Sequence, residues 1–151
     1  SIGLVGSEMC IRDRGVTIIL TDSSIERARV KSGHLEKYNQ KQHILLDKNV
    51  EVDFFNKKQK HVAVLNSFKA EVDQKTNNMK AIGNVIATSD SGITLYTDTL
   101  YWDAKNEKMS TEDSVMITTL EKDTLYGIGF ESDSDLENWK ILNPSGVTER
   151  N

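Results

Sequence analysis

Two stretches decide the fold, DQKTNNMKAIGNVIAT at residues 73–88 and DAKNEKMSTEDSVMIT at residues 103–118. Asp73, Lys75, Met79, Val85 and Thr88 of the first return as Asp103, Lys105, Met109, Val115 and Thr118 of the second. In each copy, polar turn residues lead into a run whose apolar positions alternate with polar ones, the period of a half-buried strand. A fainter copy passes through Tyr38, Lys41, Ile44, Asn49, Val50 and Val52. A unit that pairs with copies of itself builds a stacked or rolled β-structure, and its working part is the continuous surface it lines.

Working outward, the same alternation places Val50, Val52 and Phe54 on one face, with Glu51 and Asp53 on the other. After a turn at 56–59 come Val62 and Val64, then Phe68, Ala70 and Val72, and after a turn at 74–77 come Met79, Ala81, Val85 and Ala87. Ile93, Leu95, Thr97, Leu100 and Trp102 follow, then Met109, Thr111, Val115, Ile117 and Leu125. The turns carry Asn, Asp, Gly and Ser, which tolerate positive φ or bond their own backbone. The single proline, Pro144, lies beyond the last of these runs, so no ladder is interrupted. Short strands at this spacing predict an all-β roll, barrel or sandwich of antiparallel strands.

Residues 24–32 fit two readings. Ser23-Ser24-Ile25-Glu26 matches a capping box and Gly33 a helix C′ position, so a helix is locally acceptable. The preferred reading pairs Val16–Leu20 with Glu26–Ser32 across a turn at 22–24, in keeping with the β character of the rest.

The length of 151 residues suits one domain, and the charged fraction of 28% suits a soluble body. No apolar run approaches the roughly 20 residues that cross a bilayer. Leu4 to Asp13 resembles no natural structural element and reads back as an in-frame translation of a transposase adapter used in sequencing libraries. Residues 1–14 are therefore expected to be non-native, with a domain at 15–146 and a tail at 147–151. The only cysteine, Cys10, falls in that segment, so disulfides give no guide to compartment. The net charge of −4 is the same with or without these residues and weighs against a nucleic-acid partner, which needs a basic face. Lys57, Lys58 and Lys60 cluster at one turn, most simply as a solvated hairpin tip.

Catalysis finds few candidates. His34, His43 and His61 lack metal-ligand spacing, and no nucleophile elbow or phosphate-cradling loop is present. Glu131, Asp133 and Asp135 could offer oxygens to calcium, but the EF-hand glycine and distal glutamate are missing, which favours a polar turn. No cofactor is expected, and no enzymatic activity. The inward face mixes large residues (Phe54, Phe68, Trp102, Met79, Met109) with small ones (Ala70, Ala81, Ala87). Such a face either fills as a packed core, which pattern alone favours, or leaves an apolar slot between two sheets.

The ordered motifs Gly83-Asn84-Val85, Gly92, Leu95, Thr97, Leu100, Trp102-Asp103, Lys108, Thr111, Val115 and Ile117, then Tyr126-Gly127-Ile128-Gly129-Phe130-Glu131-Ser132-Asp133 and Trp139, resemble the LptC family. That family is the periplasmic, membrane-anchored component of the lipopolysaccharide export bridge of Gram-negative bacteria. The resemblance covers about Val16 to Gly146, and the Gly-x-Gly-Phe and Trp139 ending is similar to forms from Bacteroidetes-like lineages.

It implies a twisted, V-shaped open β-jellyroll without catalytic residues. Its interior would shield lipid A acyl chains, lined by Val50, Val52, Phe54, Val62, Val64, Phe68, Ala70, Val72, Met79, Ala81, Val85, Ala87, Leu95, Leu100, Trp102, Met109, Val115 and Ile117. Implied partners are lipopolysaccharide, the inner-membrane ABC transporter and a homologous jellyroll bridge protein, the latter two met by edge-strand pairing. The implied location is the periplasm, with an inner-membrane anchor upstream of Gly15. Gly127 and Gly129 are expected to allow close backbone approach or a bulge near the closing edge. The alternative is a structural adhesin or carbohydrate-binding β-domain that works through its outer polar face.

Overall fold

A computed structural model describes residues 8–11, 15–38, 40–121 and 123–145 of the chain, the first of these segments as backbone only. These residues form thirteen strands and no helix. In chain order they are β1 (Glu8–Ile11), β2 (Val16–Asp22), β3 (Ile25–Ser32), β4 (His34–Tyr38), β5 (His43–Asp47), β6 (Val50–Phe55) and β7 (His61–Ser67). There follow β8 (Lys69–Asp73), β9 (Asn78–Ser89), β10 (Thr94–Asp103), β11 (Lys108–Thr118), β12 (Thr124–Asp133) and β13 (Trp139–Pro144). Every pairing is antiparallel, and the roll ends in unclosed edges rather than a barrel.

The sheet forks at β9. Its first half pairs with β8, from Asp73↔Asn78 to Lys69↔Ile82, and its second half pairs with β7, from Asn66↔Ile86 to Ala63↔Ser89. One arm continues from β7 through β6 and β3 to β2, the other from β8 through β5 and β4 to β1. On the far side, β10 to β13 follow as a meander shared by both arms.

The two arms meet along a row of bends. Gly33 separates β3 from β4, Lys48 and Asn49 separate β5 from β6, and Phe68 separates β7 from β8. In the long strands the same row runs through Gly83 and Asn84 and through register shifts between Thr97 and Thr99 and between Thr111 and Ser114. Positive φ at Lys48 (62°), Asn49 (70°), Gly83 (89°) and Asn84 (48°) turns the chain at these points. At Gly83 a Cβ would also lie 2.9 Å from the Phe68 ring, so glycine there serves both the bend and the close approach. Buried serines satisfy carbonyls freed at two of the corners: Ser32 Oγ lies 2.7 Å from the His34 carbonyl, and Ser67 Oγ donates to the Lys69 carbonyl at 2.8 Å.

The repeat has a local physical cause. Asp73 Oδ1 accepts the Lys75 N–H at 2.9 Å, and Asp103 Oδ1 accepts the Lys105 N–H at 3.1 Å, so each copy begins with the same Asx turn. A third aspartate, Asp133, closes the next hairpin through the Asn138 N–H and side-chain amide at 3.1 and 2.9 Å. Each repeat therefore adds one strand pair, bent once, to both arms. Ser24 lies in the turn and Ile25–Ser32 is strand, with Val16↔Ser32 to Leu20↔Ala28 in register against β2.

Residues 8–11 were expected to contribute no element, and they form β1 on the edge of β4, from Glu8↔Tyr38 to Ile11↔Leu35. Ladder bonds are made by the backbone, so an open edge accepts an extended segment of almost any sequence. The remainder of the 1–14 segment and the tail beyond Gly146 lie outside the described residues.

Candidate functional site: the apolar interior and its mouth

The faces of the two arms that look at one another form a single apolar interior. Val52, Phe54, Ala63 and Leu65 of one arm, with Val85, Ala87, Leu95 and Ile117, are essentially fully buried. So are Leu35, Leu46, Ala70, Val72, Ala81, Leu100 and Met109 of the other. Contact across the gap is direct: the Phe54 and Trp102 rings sit 5.4 Å apart at 58°. In this conformation the interior is filled by the protein's own side chains.

Most of the residues expected along the groove face this interior, namely Val50, Val52, Phe54, Ala70, Val72, Met79, Ala81, Val85, Ala87, Leu95, Leu100, Trp102, Met109, Val115 and Ile117. Three do not occupy the expected places. Val64 is half-buried and pairs with Asp53 and Thr88, which puts it on the outer face. Val62 is half-buried against the rim of the core, at a register shift where Phe55 pairs with His61 and the neighbouring Phe54 with Ala63. That one-residue bulge flips the face of the following strand, so Ala63 and Leu65 point inward instead. Phe68 is 56% exposed because it sits at the corner, where its ring covers Gly83.

The motif residues mostly do architectural work. Asp103 is held below the usual carboxylate range, first by the Asn106 side-chain amide and then by the Asn106 N–H. Phe130 is fully buried and lies 6.4 Å from the half-buried Trp139, with which it stacks at 25°. At Gly127 a Cβ would collide with Ile141 of β13, and Gly129 takes φ 87° where the β11–β12 register shifts between Thr111↔Phe130 and Ser114↔Ile128. Close approach to β13 at Gly127 and a bulge of β11 opposite Gly129 therefore fall two residues apart on β12.

Polar ties cross the mouth of the roll, opposite the row of bends. Asn77 Nδ2 donates to the Thr21 carbonyl at 3.2 Å, joining the β8–β9 turn to β2. Arg27 of β3 forms an ion pair with Glu107 in the β10–β11 turn, and its Nε donates to the Phe55 carbonyl at 3.0 Å. The Arg27 side chain is only 5% exposed. The hydrogen bond that Arg27 donates to Glu107 is the main reason the Glu107 carboxyl stays below its ordinary pKa. Composition and periodicity gave no sign of Arg27, because the register shift between Leu20 and Thr21 is what leaves it unmatched and turned inward beside Ala28.

A cavity of about 400 Å³ lies at this mouth, lined by Arg27, Lys57 and Lys58 and by the carboxylates Glu107, Asp133 and Asp135. A wider depression of about 940 Å³ lies at the ends of β9 to β13, and its lining includes Tyr101, Lys108, Ser110, Glu131 and Lys140. On the outer face His61 is bracketed by two carboxylates, with Nδ1 2.9 Å from Asp90 and Nε2 2.9 Å from Asp53. The hydrogen bond to Asp90, and secondarily that to Asp53, raises its pKa against the opposing effect of burial. Among the described residues no group of His, Cys, Asp and Glu is arranged to hold a metal ion. No described helix is long and apolar enough to cross a membrane.

A family model described as lipopolysaccharide-assembly, LptC-related, matches residues 15–147. No curated protein matches. Among solved structures, the crystal structure of LptH, the LptA-homologous periplasmic component of the conserved lipopolysaccharide transport device from Pseudomonas aeruginosa, aligns with a TM-score of 0.61. It is 13% identical in sequence, and the alignment covers 82% of this chain and 89% of that one. That likeness establishes the jellyroll fold.

Proposed function

Because the chain belongs to the LptC-related family of lipopolysaccharide-assembly proteins, we propose that it is a non-enzymatic periplasmic bridge domain which shelters the acyl chains of lipopolysaccharide between its two arms. The observation that carries this reading is the continuous apolar interior, bounded at its mouth by few polar ties. Parting the arms exchanges side-chain contacts for acyl contacts, and each buried methylene contributes about 0.8 kcal/mol. Such a surface holds several chains firmly while discriminating little among them.

Residues 1–14 are foreign to the domain in this reading, and in the full-length protein an inner-membrane anchor precedes Gly15. Cargo arrives from an inner-membrane ABC transporter and passes to a homologous jellyroll, each joined through a sheet edge. The seating of Glu8–Ile11 on β4 supports that mode of assembly, since it is strand addition to an open edge. The description of LptH as part of a periplasmic transport device supports the compartment.

A benzophenone-bearing residue in place of Phe54 is expected to capture lipopolysaccharide, and one in place of the exposed Lys69 is not. Labelling confined to Lys69 and Tyr101 would replace this reading with the carbohydrate-binding one, for which the depression beside Tyr101 is the available surface.

A further inference from the structure

Arg27 is a buried cation with spare donors. Its guanidinium carries five N–H groups, and the structure gives acceptors to it only at Phe55 and Glu107. Among the described residues nothing else accepts from it, yet the side chain is nine-tenths buried and lines the mouth cavity. Lys57 and Lys58 stand on the same cavity from the β6–β7 turn, and no ion pair among the described residues engages either. Three carboxylates share the cavity: Glu107 pairs with Arg27, Asp133 accepts from Asn138, and Asp135 accepts the Glu137 N–H at 3.1 Å while burial, and after it Asp133, pushes its carboxyl up. A planar guanidinium and two ammonium groups on one cavity, the Lys57 charge also acting on Glu107, supply the donors that a tetrahedral oxyanion takes.

We propose that the mouth cavity formed by Arg27, Lys57 and Lys58 is a subsite for a phosphoryl group borne by the amphiphile whose chains enter the interior. This rests on the lipid-sheltering reading above and adds to it a polar anchor at the point where chains meet water. Glu107 is then a competitor that holds Arg27 in the empty state. Because the Arg27–Glu107 pair joins β3 of one arm to the β10–β11 turn of the other, a phosphoryl group that takes Arg27 also releases a tie across the mouth.

The test compares binding of lipopolysaccharide with its lipid phosphates intact, and of the same preparation after phosphatase treatment, to the full chain. Wild type is expected to prefer the intact form at least about tenfold, the size of one charge-assisted hydrogen bond. Arg27→Gln should abolish that preference, and Glu107→Gln should enlarge it. A preference that survives Arg27→Gln overturns the subsite and leaves the lipid-sheltering reading standing. Failure of wild type to bind either form overturns that reading, and the subsite with it.

Inorganic phosphate alone separates the two sources. Competition at millimolar concentration assigns the site to phosphate as such, and no competition alongside a lost preference in Arg27→Gln assigns it to the lipid headgroup. Circular dichroism checks the fold of each variant. Should Arg27→Gln not fold, the exposed pair Lys57→Glu with Lys58→Glu carries the test, and an unchanged preference in that variant overturns the proposal.

Discussion

Replacing Phe54 by alanine tests whether the interior is a filled core or a standing groove. Phe54 is fully buried and packs on Trp102 across the two arms, so truncation removes a ring's worth of burial and one aromatic pair. Phe→Ala at such a site costs about 3–5 kcal/mol, out of a domain stability of about 5–15 kcal/mol. With a urea slope of about 2 kcal/mol per M for a domain of this size, the unfolding midpoint should fall by about 2 M. Phe68→Ala is the internal control. Phe68 is 56% exposed at the corner, so its loss should cost about 1 kcal/mol or less, mostly through the contact with Gly83. Urea unfolding of wild type and both variants, followed by tryptophan fluorescence, measures the difference. A Phe54→Ala cost near 1 kcal/mol, or equal costs for the two variants, would refute the filled interior and mean that the arms stand apart in solution.

Other consequences are open to simpler experiments. His61 has a raised folded-state pKa, chiefly through its hydrogen bond to Asp90, so its stabilisation is fully present below the unfolded value of about 6.5 and is lost as pH rises through the folded one. Stability of the wild type relative to His61→Asn should therefore decline from mildly acidic to mildly alkaline pH in matched urea titrations. A gap that is flat or widening with pH would mean that the bracketed imidazolium is not formed. Gly83→Ala forces a β-carbon into φ 89° and against the Phe68 ring, and should cost about 1–3 kcal/mol in the same assay. Pairing it with Phe68→Ala should recover part of that cost, because the clash is then removed; a cost unchanged by the second substitution would assign all of it to the backbone.

The sequence by itself determined the class of fold, its repeating unit and most of the inward face. Period-two alternation is local, and the Asx turns at Asp73 and Asp103 are made by neighbours in the chain, so both can be read without knowing what packs on what. The ordered motifs were specific enough to point to the family that matches residues 15–147. Facing is different, because it depends on register. One bulge beyond Phe54 moved Val64 to the outer face and brought Ala63 and Leu65 inside, and another before Ala28 turned Arg27 into the mouth. A bulge is fixed by the partner strand, and the partners of β7 and β3 lie across turns and forks that alternation does not encode. Only the tertiary structure decided that two bent arms face each other, that their interior is filled, and that a buried arginine stands where the arms meet water.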